Sequence, residues 1–340
     1  MALSVRVQPS LSDGLNRDAE PLGHIVMSEP LAYIIDRFPK LHVYIPIDSA
    51  TAVYDNIYVQ NERASPMNRV PLARRVQVIS CLVEGNSIRS TERMTGTHRD
   101  TICRLLVEVG EGCAKLMDEQ MRELSCRRIE VDEIWSYVGK KQRHMTEDDD
   151  PRRLGDQYTF VALDPETKII PAYRVGKRDL PTATAFITDL SERLANRIQL
   201  SSAALAAYVE ATERAFGADV DYGQEVKAYE AEPVGRGRYS PPHVTSARRI
   251  VIAGNPDPAF ISTSLIERQN LTMRMSMRRF TRLTNAFSKK VENLRAAVSL
   301  HFAHYNFVRV HRSLRVTPAM EARVSDRLWS LDELVERTSS

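Results

Sequence analysis

The stretch Arg128-Ile129-Glu130-Val131-Asp132-Glu133-Ile134-Trp135-Ser136-Tyr137-Val138 decides how the rest of this chain is read. It is rich in β-branched and aromatic residues and free of glycine and proline, so it predicts a β-strand. Two further strand patterns follow at 158–164 and 168–175, joined by the turn residues Asp164-Pro165-Glu166-Thr167. The pattern then alternates. A helix is predicted over 181–194, a strand over 198–202, a helix over 205–216 and a strand over 220–229. Residues 233–246, rich in Gly, Pro and Arg, read as a loop, and 248–252 as a short strand. From Ser264 onward helix dominates, with Val291, Leu294, Val298, Phe302 and Tyr305 on one apolar face.

Three antiparallel-type strands, then alternating helix and strand, then helices, is the element order of a ribonuclease H-like α/β domain: a mixed sheet flanked by helices. We assign it residues 127–325, with a C-terminal tail at 326–340. Upstream, Leu72, Val76, Ile79 and Val83 recur at helical spacing and Gly85 ends the run. Ser87 can cap a second short helix, Gly96 makes a tight turn, and Thr97 with Asp100 predicts the start of a third. Ile102, Leu105, Leu106 and Val109 form its inner face, while His98, Arg99, Thr101 and Arg104 face outward. That is an all-α helix-turn-helix pattern over 65–113, and the outward residues suit base edges and phosphates. A solvated three-helix bundle would show the same periodicity. Residues 114–126 read as a linker helix. Residues 1–64 carry no motif; the patterns there allow a short helix at 31–38 and a strand at 41–47, in either an accessory element or a loose extension.

Composition narrows the class. The chain has 340 residues, 43% hydrophobic and 27% charged, with a formal net charge of +3. No apolar run approaches the ~20 residues of a membrane span, and the N-terminus lacks the layout of a secretory signal, so a cytoplasmic, non-membrane protein is expected. The four cysteines lack metal-ligand spacing and are expected as free thiols. Basic residues concentrate at Arg268, Arg274, Arg278, Arg279, Arg282, Lys289, Lys290 and Arg295.

Two carboxylates stand out. Asp132 lies among Ile129, Val131 and Ile134, where a buried acid is costly unless paired or metal-bound; a strand-end aspartate making turn hydrogen bonds is the plain alternative. Glu267 follows Ser264 in a Ser-x-x-Glu pattern, so it could simply close a capping box. Met273, Met275 and Met277 alternate by two and are expected in the core.

Longer segments carry a resemblance. Glu267-Arg268-Gln269-Asn270-Leu271-Thr272-Met273-Arg274-Met275, continuing to Ser288, resembles the C-terminal signature of bacterial insertion-sequence DDE transposases, of the type of insertion sequence one and its relatives. Val131-Asp132-Glu133-Ile134-Trp135-Ser136 resembles that family's first-aspartate strand. His304-Tyr305-Asn306-Phe307, His311-Arg312-Ser313-Leu314 and Thr317-Pro318-Ala319-Met320 resemble its closing segment. The resemblance spans residues 66–322. It implies three acidic residues holding two divalent cations, Mg2+ or Mn2+, for DNA strand cleavage and transfer. Residue by residue, the first acid is Asp132 and the last Glu267, while the second position holds Ala203.

Asp189, Asp219 and Asp221 are the nearby acids, and none is expected at that strand end. One isolated departure between intact flanks is the mark of an inactivating substitution. The resemblance therefore implies a catalytically inactive chain with weakened metal binding. It also implies double-stranded DNA partners (terminal inverted repeats and target), a homodimer or higher oligomer, and a nucleoid location. Arg268, Arg274, Arg278 and Arg279 are placed to meet phosphates, with His311 and Arg312 as auxiliary residues. A catalytically silent DNA-binding protein and a ribonuclease H-type nuclease are the alternative functions.

Overall fold

A computed structural model describes residues 4–7, 25–26, 43–44, 69–230, 243–281 and 284–339. They fall into two compact units, Met1–Arg69 and Val70–Ser340. In the first, β1 (Ser4–Val7) pairs antiparallel with β2 (Ile25–Val26) and β3 (Val43–Tyr44). Part of the strand expected at 41–47 is thus present; the helix expected at 31–38 lies outside the described residues.

The second unit is built on a six-stranded mixed sheet. Its strands are β4 (Arg128–Val138), β5 (Gly155–Leu163), β6 (Tyr173–Gly176), β7 (Ile198–Ala203), β8 (Val220–Glu230) and β9 (His243–Ala253), in the spatial order β6-β5-β4-β7-β8-β9. The pairs β4–β5 and β5–β6 are antiparallel, β4–β7 and β7–β8 parallel, and β9 closes the edge antiparallel to β8.

Helices α1 (Leu72–Val83), α2 (Ile88–Thr95) and α3 (Arg99–Gln120) precede the sheet; α4 (Leu180–Ser191) and α5 (Ala206–Phe216) connect its strands. After β9 come α6 (Ser264–Ser276), α7 (Val291–Ala303, continued by a π-helical turn at His304–Val308), α8 (Pro318–Glu321) and α9 (Leu331–Thr338). A sheet with this strand order, a parallel centre and helices on both faces fits a ribonuclease H-like fold.

Two strand predictions need correction. The third strand begins at Tyr173 instead of 168, because the preceding backbone is satisfied otherwise. Lys168, in the left-handed region at φ 63°, closes the turn onto Asp164, and the buried Asn306 amide pairs with both the N–H and C=O of Ile170. At the other end, 243–246 is strand and not loop. There β8 and β9 run on as a two-stranded ribbon, pairing Ala228 with Ser246 and Glu230 with His243. Most of β9 is exposed on both faces, so the apolar alternation that announces a half-buried strand is missing.

The helical segment also differs in layout. The Ser87 hydroxyl accepts from Ser90 N–H as expected, and Gly96 takes the left-handed conformation at φ 67° that the turn requires. The third helix, however, is capped by His98 and not Thr97. It then runs unbroken to Gln120, so the expected linker helix is the second half of α3. Val109, Cys113 and Met117 on α3 share one apolar core with α7 and with α9. Gly110 allows this, since a Cβ there would lie 2.4 Å from the Ala296 carbonyl oxygen. The expected C-terminal tail is likewise structural: Leu334, Val335 and Thr338 of α9 are buried. Of the three methionines, Met273 and Met277 are buried four residues apart, while Met275 points out at 76% exposure. All four cysteines are free thiols; Cys103 is half-buried and the other three buried. Among the described residues no helix is long and apolar enough to cross a membrane.

Candidate active site

The parallel register fixes the site. Glu130 pairs with Ser201 and Val131 with Ser202, so Asp132 and Ala203 emerge next to each other where β7 ends. Neighbouring strands lie about 4.8 Å apart, so two side chains at these positions share one small volume. On the far side Ala203 pairs with Glu225 of β8. Because strand side chains alternate, Glu130, Asp132, Ala203, Glu225 and Lys227 all face one side of the sheet. Helix α6 lies across that side.

The start of α6 is held by strand carboxylates. Leu265 N–H and Ile266 N–H both donate to Glu130 Oε2 at 2.9 Å. Thr263 N–H donates to Glu225 Oε2 at 3.0 Å. These bonds satisfy N–H groups that every helix start leaves without an intrahelical partner, and negative charge is favoured at that end. Glu267 is therefore not the capping residue. Its Oε1 lies 2.9 Å from the Thr263 hydroxyl and accepts from the Lys227 ammonium. It is 44% exposed in its side chain, one turn into the helix. One further turn along, Asn270 donates Nδ2–H to Asp132 Oδ2 at 2.8 Å. Asp132 and Glu267 also act on each other electrostatically. The capping-box alternative for Glu267 and the turn alternative for Asp132 both fall away.

The charges are tightly coupled. Burial, the neighbouring Glu133 and then Glu267 push the Asp132 carboxyl up to about 7, against the pull of Lys227. Burial also raises Glu130. For Glu225, burial works upward too, but the Thr263 hydroxyl and N–H and the Lys227 ammonium, 3.2 Å away, outweigh it and leave it low. Lys227 is opposed by burial, yet Glu267 and Glu225 hold it charged and raised. Four carboxylates and one ammonium thus converge below α6.

The donor set does not fit a metal pair as it stands. Ala203 offers a methyl group where an oxygen ligand would be needed, and Lys227 already occupies a Glu267 oxygen. Among the described residues no three His, Cys, Asp or Glu side chains are grouped to hold a metal ion. The acids considered as substitutes are elsewhere. Asp189 is bound by Arg193 at 2.7 Å, and Asp221 by Arg197 at 2.8 Å. Asp221 pairs with Gln199, four residues before Ala203, or about 13 Å along the strand.

Sequence reasoning overlooked Glu130, Glu225, Lys227 and Asn270. Alternation with Asp132 could have singled out Glu130, and Asn270 lies one turn beyond Glu267. Glu225 and Lys227 are placed by a strand register that no local pattern announces.

The basic candidates are spread over several elements. Arg268 is exposed on α6 beside Glu267, and Arg274 is half-buried at the same helix's end. Arg278 is exposed in the following turn, and Arg279 donates Nε–H to the Ser288 hydroxyl at 2.8 Å. His98, Arg99 and Arg104 are exposed at the start of α3, with Thr101 half-buried and accepting from Arg104. Asp100 intrudes on that face, 3.6 Å from His98 and 3.7 Å from Arg99. His311 bonds to Ser313 at 3.0 Å and meets the Tyr305 ring edge-on; burial, Lys168 and Arg309 lower its pKa. Those contacts are not with Asp132 or Glu267. Arg312 is exposed.

No protein-family profile and no curated protein sequence matches the chain. Among solved structures, a chain of the crystal structure of the Mos1 strand transfer complex matches at 14% sequence identity and a TM-score of 0.19. The match covers 47% of this chain and 59% of that one, so it spans little more than half of the Mos1 chain.

Proposed function

We propose that this chain is a DNA-binding protein of the DDE transposase type whose strand-cleavage site lacks its second acid. The observation that carries the reading is the register placing Ala203 beside Asp132 under the helix that bears Glu267. Three positions distant in sequence meet at one point of the sheet, and two of them still carry carboxylates. In an intact site of this kind the third acid would complete an oxygen-rich pocket suited to Mg2+ or Mn2+. With a methyl group there, DNA is bound at the element ends but not cut.

His98, Arg99, Thr101 and Arg104 at the start of α3, with Arg268, Arg274, Arg278 and Arg279 around α6, are the DNA-contacting groups of this reading, and His311 and Arg312 are auxiliary to them. Joining two element ends calls for at least two copies of the chain.

Competition binding tests this against a ribonuclease H-type nuclease. Labelled duplex DNA bearing candidate inverted repeats is displaced with random duplex DNA or with RNA–DNA hybrid. The proposal expects repeat DNA to bind tightest and affinity to fall steeply with salt, because phosphate neutralisation releases counterions. Preference for the hybrid, or no affinity for any duplex, overturns it.

A further inference from the structure

Trp135, Tyr137 and Phe287 form a row of rings on the side of the sheet opposite the carboxylates. Trp135 and Tyr137 alternate with Ile134 and Ser136 on β4, their centroids 5.8 Å apart and tilted by 35°. Phe287 stacks on Tyr137 at 4.7 Å and 29°. All three are half-buried, and none belongs to the apolar core or to the half-buried residues packed around it. The rings stabilise one another by stacking and still leave ring surface open to solvent, outside the core.

Their position is equally telling. Strand β4 pairs with β7 only as far as Val131, and the next bridge on that edge joins Val138 to Ser288. Between them, the described pairings leave the β4 edge from Asp132 to Tyr137 open. Along the strand Asp132 begins the gap and Trp135 is three residues on, about 10 Å away, with its ring on the opposite face. One cation lies against the rings: the Lys141 ammonium sits 5.9 Å from the Tyr137 centroid. The exposed Lys289, two residues after Phe287, adds a second positive charge to the segment. On the same face the Glu133 carboxylate is already bound by Arg178 at 2.6 Å and Tyr208 at 3.2 Å.

We infer that this row is a stacking platform for an unpaired nucleobase at a DNA strand end, with Lys141 and Lys289 meeting the flanking phosphates. The inference rests on the DNA-binding reading above and adds to it a place for one unstacked base. Aromatic faces accept any base, so the platform is insensitive to sequence and favours frayed or overhanging ends over closed duplex.

The chain has two tryptophans, which gives a direct readout. Trp329 is buried and stacked on Phe307 at 4.5 Å, leaving Trp135 as the accessible reporter. The probes are a blunt 20-base-pair duplex and the same duplex with a three-nucleotide 3′ overhang carrying 2-aminopurine. Binding is followed by anisotropy, stacking by tryptophan and 2-aminopurine emission. The expected result is quenching of both emissions by the overhang duplex alone, with tryptophan quenching abolished in Trp135→Phe. Phe287→Ala is expected to bind the overhang duplex at least about fivefold more weakly, with blunt-duplex affinity unchanged and cooperative thermal unfolding retained. If blunt duplex binds but the overhang adds no quenching, or Phe287→Ala weakens both probes equally, the platform is refuted and the DNA-binding reading stands. If neither probe binds, both fall.

Discussion

Replacing Asp132 by asparagine should stabilise the protein at neutral and alkaline pH and leave it unchanged in acid. Asp132 is held at about 7 by burial and by Glu133 and Glu267, against about 3.9 in an unfolded chain. The folded state therefore prefers the protonated acid. The contribution of this group is most favourable below pH 4, and it is lost as pH rises from 4 through 7. Three pKa units correspond to about 4 kcal/mol, an upper value because local relaxation softens the real cost. Asparagine keeps the shape and can still accept from Asn270, so removing the charge should recover about 1–4 kcal/mol at pH 8.

The assay is urea unfolding of the full chain and of Asp132→Asn in chelator-containing buffer, across pH 4 to 9. The difference between the two proteins is what matters. The buried neutral His301 and His304, at about 3 and 4, pull in the opposite sense by destabilising the fold as pH falls below 6.5, and they cancel in the comparison. A difference that is flat with pH, or larger at pH 4 than at pH 8, would refute the reasoning.

Glu130→Ala removes the acceptor of two helix-start N–H groups and should cost about 2 kcal/mol, read by urea unfolding. Lys227→Met removes a charge that lowers Asp132, so the pH midpoint of the Asp132 effect should move upward in the same comparison. Gly110→Ala drives a Cβ into the Ala296 backbone and should lower stability by about 1–3 kcal/mol, with a matching drop in melting temperature.

The sheet was largely legible because its strands announce themselves locally. Residues 128–138 were read to their true ends, and Ala203 was placed at a strand end beside a following helix, where the structure has it. Contacts between distant segments were not legible. The Ser264–Glu267 spacing left a capping box open as the alternative role of Glu267, yet Glu130 and Glu225 arrive from two strands and take the N–H groups first. The last residues read as a tail because eight helical residues are too few to stand alone; α9 forms since α1 and α3 offer it an apolar surface. Thr97 is the cap that residue type favours, yet the structure caps the helix with His98, whose ring Nδ1 accepts from Asp100 N–H at 3.3 Å.

The central claim is that position 203 is the vacant third corner of a carboxylate site formed with Asp132 and Glu267. Ala203→Asp would set a second acid about 4.8 Å from Asp132, a repulsion of about 3 kcal/mol at an effective dielectric of 20, which a divalent cation relieves. Mn2+ titration followed by electron paramagnetic resonance, on the parent chain and on Ala203→Asp, measures this directly. Binding at least about tenfold tighter in the variant, together with metal-dependent recovery of its stability, is the predicted result. Equal Mn2+ affinity in the two proteins would contradict it.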